Sequence, residues 1–140
     1  MRILIGAMGL ALLAGCASSA ISVNKAEPVP ADELYAYQAK PVGDSGRLTV
    51  VRDAGFVGSG CDAVVYIDGV KAAKIGTGQR ATFFLPVGNP NLGVGFAGQG
   101  LCMGVAIRTI TGSVTSGAES TYSISGDMNG IYIGPYIDYK

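Results

Sequence analysis

Apolar and polar positions along the chain fall into short runs separated by turn residues. Leu48-Thr49-Val50-Val51 is rich in β-branched residues, as is Ala63-Val64-Val65-Tyr66-Ile67. Asp68-Gly69 follows the second run, and Val70-Lys71-Ala72-Ala73-Lys74-Ile75 comes directly after it. An Asp-Gly pair between two apolar runs predicts a tight hairpin, because both central residues of such a turn need positive φ. Gly76-Thr77-Gly78 marks the next corner. Arg80 to Leu85 is a further strand-like run, stopped at Pro86, and Val87-Gly88-Asn89-Pro90-Asn91 is turn chemistry. Extended runs are expected again at 92–96, 102–110, 120–125 and 131–137. No segment after Gly46 keeps a 3.6-residue apolar period. The spacing predicts an all-β domain over residues 47–140, a small antiparallel sandwich or partly open barrel of about seven or eight strands. Glycine density between Gly88 and Gly104 leaves that stretch open between a curved strand and a loop.

The first third of the chain has another pattern. Residues 3–14 are apolar apart from Gly6 and Gly9, and Arg2 precedes them. About twelve residues is too few to span a bilayer, which takes ~20. Those features match the hydrophobic region of a secretory signal. Residues 17–46 then carry Ser18-Ser19, three prolines (Pro28, Pro30, Pro41) and six charges, so they are expected to form an extended tether that holds the domain at a distance. A short helix is expected within that tether over 31–38, where Asp32 and Glu33 follow Pro30 as first-turn residues do.

Leu13-Ala14-Gly15-Cys16 resembles the lipobox of bacterial lipoproteins, residue for residue. The resemblance implies cleavage after Gly15, a diacylglycerol on the Cys16 sulfur and acylation of the new amino group. Two or more acyl chains give stable membrane attachment where one does not. In Gram-negative lipoproteins an Asp after the lipidated Cys signals inner-membrane retention. Ala17 stands here, which implies the outer membrane. The chain then divides into a signal (1–15), a lipidated tether (16–46) and a folded domain (47–140).

The composition narrows the function classes. The full chain of 140 residues has ten basic and ten acidic side chains, and loss of Arg2 leaves nine against ten. A nucleic-acid partner would call for a basic surplus. The absence of His removes His-dependent triads, His-bearing zinc sites and His-axial haem. Of three cysteines, Cys16 is assigned to lipid, which leaves Cys61 and Cys102 as the expected disulfide in an oxidising compartment.

Motifs that carry chemistry elsewhere have plain readings here. Gly93-Val94-Gly95-Phe96-Ala97-Gly98 satisfies a dinucleotide fingerprint but lacks the strand–helix frame that fingerprint needs. Ser22-Val23-Asn24-Lys25 satisfies S-x-x-K six residues from Cys16, with no Lys-Thr-Gly after it. Asp53, Asp62, Asp68, Asp127 and Asp138 lack EF-hand spacing, and several read as turn residues. No catalytic residue, metal site, cofactor or small-molecule substrate is expected. Tyr132, Tyr136 and Tyr139 form the candidate contact surface, since Tyr is enriched at interfaces. Exposed edge strands would present unpaired backbone beside them.

Leu48-Thr49-Val50-Val51-Arg52, Val65-Tyr66-Ile67-Asp68-Gly69 and Leu85-Pro86-Val87-Gly88 together resemble PEGA-type and related small β-sandwich lipoprotein modules. Gly117-Ala118-Glu119-Ser120-Thr121-Tyr122 is similar to a late segment of such domains. The resemblance implies a sandwich fold. The function expected is that of a non-catalytic, lipid-anchored envelope protein that serves as an interaction or structural module, with an unknown envelope protein as partner. The alternative is an inhibitor or exclusion factor that binds another protein, such as a lysozyme or a receptor.

Overall fold

Side chains alternate in and out along the strands, and two sheets bury their inner faces against each other. The computed structural model describes residues 20–55, 60–98, 102 and 106–138. Nine strands run β1 (Glu27–Pro28), β2 (Ser45–Arg52), β3 (Ala63–Ile67), β4 (Val70–Ile75), β5 (Gln79–Pro86), β6 (Asn91–Phe96), β7 (Arg108–Thr111), β8 (Glu119–Asp127) and β9 (Gly130–Pro135). One sheet has the order β1-β5-β2-β8-β9 and the other β4-β3-β6-β7. The inner face of the first supplies Leu48, Val50, Phe83, Leu85, Tyr122, Ile124, Ile131 and Ile133 to the core. The second answers with Ala63, Val65, Ile67, Ala73, Ile75, Leu92 and Val94. These sit at every second position, as a half-buried strand requires.

The expected sandwich is the fold, with refinements. The first sheet is mixed, because β2 pairs in parallel with β8 and β1 in parallel with β5. The chain leaves β2, forms β3 and β4 of the second sheet, returns to pair β5 with β2, completes the second sheet with β6 and β7, and re-enters as β8 on the other side of β2, at the end where β2 began. Asp68 and Gly69 have φ of 48° and 79°, the two positive values the hairpin demands. The open stretch at 88–104 is strand over Asn91–Phe96. Gly93 and Gly95 lie inside that strand because Ile107 crosses above them. A Cβ at Gly93 would stand 3.2 Å from the Ile107 side chain, and one at Gly95 would stand 3.1 Å from it. The fingerprint glycines therefore belong to an antiparallel strand. Of the expected run 102–110, the described strand is Arg108–Thr111.

The segment expected as a tether differs most. From Ala26 onward it is a strap docked on the sandwich. Ala26 and Val29 are buried, and β1 pairs with the start of β5. The expected helix is a single 3-10 turn, Ala31–Glu33. Leu34 then bridges to Ala73 on β4, and the Tyr35 and Ala36 amides both donate to the Ala72 carbonyl. The register of β3 against β4 shifts between Val65 and Tyr66, which leaves Ala72 as the extra residue on the outer strand. Farther on, the Phe84 amide donates to the Tyr37 carbonyl, and the Tyr37 hydroxyl donates to the Ile67 carbonyl. The strap thus covers one flank of both sheets. Prolines hold it extended, and its apolar residues are buried through pairing with distant strands.

The strands give the sandwich two ends. One carries residues 39–44, 68–69, 86–90 and 112–118, and is called the Asp68 end. The other carries residues 20–25, 53–55, 60–62, 76–78 and 127–130, and is called the Gly76 end.

Candidate functional site

The expected contact residues are placed differently from one another. Tyr132 points away from the core residues Ile131 and Ile133 and lies half-buried under Arg108, whose guanidinium carbon is 4.1 Å from the ring centroid. The Arg108 Nη2 also donates to the Asn129 carbonyl at 3.1 Å, so this side chain bridges the last strands of the two sheets, β7 and β9. Tyr136 is half-buried beyond β9 and lines a hollow of about 210 Å³ with Ala20, Asp53, Ser123, Pro135 and Ile137. Tyr139 and Cys16 lie outside the described residues. The expected edge surface is reduced on the strap flank, where β4 and β5 are covered. On the other flank β7 and β9 end their sheets.

Among the described residues, two hollows open at the Asp68 end. The larger of them, about 450 Å³, is walled by Lys40, Asp44, Arg47, Phe84 and residues 116–118. It exists because the loop before β8 folds tightly over the start of β2. The Gly117 amide donates to the Ser45 carbonyl at 2.9 Å, and the Arg47 amide to the Ala118 carbonyl at 2.9 Å. Gly46 is required at this crossing, since a Cβ there would stand 2.3 Å from the Thr115 carbonyl oxygen. The buried Tyr122 fixes the same loop from below, its hydroxyl accepting the Ser113 N–H at 2.8 Å. Arg47 Nε lies 3.4 Å from Glu119 Oε2 on the exposed side. A second hollow of about 290 Å³ is lined by Tyr37, Asp68, Leu85 and residues 86–90. Asp68 does structural work beside it, its Oδ1 accepting the Asn91 N–H at 2.9 Å. The larger hollow gathers two cations, Lys40 and Arg47, one carboxylate, Asp44, and one aromatic side chain, Phe84. Sequence reasoning missed Lys40, Arg47 and Phe84, because only the folded loops bring 40–47, 84 and 116–118 together.

The Gly76 end is stapled by a disulfide. Cys61 and Cys102 are bonded, with sulfurs 2.01 Å apart. Beside them the Ala97 amide donates to the Asp62 carbonyl at 2.8 Å. Arg52, only 5% exposed, donates from Nη1 to the Ile75 carbonyl at 2.9 Å. Burial pulls its guanidinium below the usual value, and the Asp62 carboxylate opposes this. Arg52 and Asp53 also border a void of about 10 Å³, roughly the room one water needs. Burial pushes the Asp53 carboxyl up. Asp53, Asp62 and Asp127 do not converge on one ligand: among the described residues no group of three or more Cys, Asp or Glu could hold a metal ion. Ser22 and Lys25 flank and end a 3-10 turn, Val23–Lys25.

Comparison with protein-family models, with curated proteins and with solved structures finds no match for this chain.

Proposed function

We propose that the protein is a non-catalytic, lipid-anchored component of the bacterial cell envelope, with its sandwich as an interaction or structural module. The observation that carries this reading is Leu13-Ala14-Gly15-Cys16 placed directly after a short apolar stretch with one basic residue before it. The Cys61–Cys102 bond supports it, since disulfides persist in compartments beyond the cytoplasmic membrane. The hollow walled by Lys40, Asp44, Arg47 and Phe84 supports a recognition role, because it gathers charged and aromatic groups on one open concave surface.

The test is mass spectrometry of the full chain purified from bacterial membranes, beside a Cys16→Ala variant. The expected parent begins at Cys16 and carries a thioether diacylglycerol with a further acyl chain on its amino group. The variant is expected to lose both and to leave the salt-washed membrane fraction. A parent that keeps Met1 and carries no glyceride overturns the reading.

A further inference from the structure

The length of chain between the anchor and the fold is short, and the fold end that receives it is defined. Ala26, buried against the sandwich, lies ten residues after Cys16. Ala20, the first described residue, lies four residues after Cys16. At ~3.3–3.6 Å per residue those spans cannot exceed about 36 Å and about 14 Å. Residues 20–25 belong to the Gly76 end, and residues 26–27 lead from it into β1. The Glu27 amide donates to the Gly78 carbonyl at 2.9 Å. Arg80 Nη1 donates to the carbonyls of Val23 and Ala26. The Ile21 Cδ1 lies 3.9 Å from where a Cβ on Gly78 would be, and Ala20 shares its hollow with Asp53. From there β2 alone carries the sandwich about 25 Å farther, at ~3.3 Å per residue over eight residues.

We infer that the Gly76 end faces the lipid headgroups and that the Asp68 end, with its two hollows, points away from the membrane. The inference rests on lipid attachment at Cys16. The partner of the Gly76 end is then a lipid surface, against which the end abuts without inserting. Glu27 and Asp62 are exposed there, Asp53 and Asp127 are half-buried, and carboxylates keep their hydration rather than enter a bilayer. The consequence is a division of the surface. Lys40, Arg47 and Phe84 remain open to an envelope partner, whereas the disulfide end is screened by the membrane.

The chain contains no Trp, so a single introduced indole reports its own position. Met128→Trp marks the Gly76 end, where Met128 is 78% exposed, and Val42→Trp marks the Asp68 end, where Val42 is fully exposed. Each lipidated full-length variant is reconstituted into phosphatidylcholine vesicles containing a small fraction of dansyl-phosphatidylethanolamine. Energy transfer to dansyl is expected to be several-fold stronger from position 128 than from position 42. A second pair, Thr77→Trp and Val87→Trp, repeats the comparison on other loops and covers the case of a variant that does not fold. Vesicle-bound protein with equal transfer from both ends, or stronger transfer from the Asp68 end, overturns the orientation alone. A chain without the glyceride mass that fails to float with vesicles overturns lipid attachment, and the orientation with it.

Discussion

Asp53 is a carboxylate that the fold tolerates at a cost. It follows the last residue of β2, its amide donates to the Ile124 carbonyl at 2.9 Å, and burial raises its carboxyl above the ordinary range. The sign follows from proton linkage. Between the unfolded and the raised folded pKa, the folded state holds more protons, so the stability contributed by this residue falls as pH rises through that window. Below the unfolded value, about 4, both states are protonated and the effect is gone. Asp53→Asn is therefore expected to stabilise the protein at neutral pH, with an advantage that shrinks as pH is lowered toward 4. Paired thermal melts across that range check it. A variant no more stable than the parent at pH 7 would show that the carboxylate is well solvated. Tyr35 shows the opposite placement, on the surface. Its hydroxyl donates to the Glu33 carboxylate and its pKa is pushed up to about 12, chiefly by that bond. Lys71 lies 5.0 Å from its ring centroid, and Lys74 lies 3.8 Å from Glu33. Exposed contacts of this kind add little each, but together they fix the strap against β4.

That strap is the element whose role was least visible in the chain. Hairpin β3–β4 was legible to the residue, because its turn and its two runs are local. Strands β2, β5, β8 and β9 were legible to within a few residues for the same reason, whereas Gly93 and Gly95 left β6 open between strand and loop. The strap was not legible, because Ala26, Val29, Leu34 and Tyr37 follow no single period, and they are covered, wholly or in part, by strands distant in sequence, Val29 by β5 and Leu34 by β4. Proline-rich extended chain reads alike whether it is solvated or docked. Its docking covers the edges of β4 and β5, which would otherwise offer unpaired backbone to another molecule. A shortened chain beginning at Ala26 is expected to be monomeric and as stable as one beginning at Ala20. One beginning at Lys40 loses burial of Val29 and Leu34, and is expected to lose about 3 kcal/mol or more and to associate as concentration rises. Light scattering and urea titration separate the two. A monomeric chain from Lys40 with an unchanged midpoint would mean that the strap rests on the sandwich without supporting it.

The two ends of the sandwich are held by different means, and the difference bears on what each can do. At the Asp68 end, loops bond to one another directly: Val87 to Asp44 at 3.2 Å, Gly88 and Val114 reciprocally, Gly112 to Pro90 at 2.7 Å and Gly117 to Ser45. That end carries the hollows, and backbone bonds give their walls a fixed shape. The candidate site was only partly legible for this reason. The tyrosines were visible as residues, but the walls of the hollow come from three loops far apart in sequence. At the Gly76 end, long connections leave β2 and β6, and one covalent bond joins them. Cys61 and Cys102 are 41 residues apart, and closing a loop of that length contributes roughly 3–4 kcal/mol by restricting the unfolded chain. A sandwich of this size has a small core, so such a contribution is a large share of its net stability. Reduction, or replacement of both cysteines by Ser, is expected to lower the urea midpoint by roughly 1–4 M, taking a slope of about 1–3 kcal/mol per M. The lower midpoint should appear without a change in the strand signal at low urea, because the sheets are closed by their own pairing. Tyrosine fluorescence and far-ultraviolet dichroism follow both quantities. An unchanged midpoint would show that the two loops are already held by contacts such as Ala97 to Asp62 and Arg52 to Ile75. Loss of the strand signal on reduction would show instead that the bond organises the second sheet.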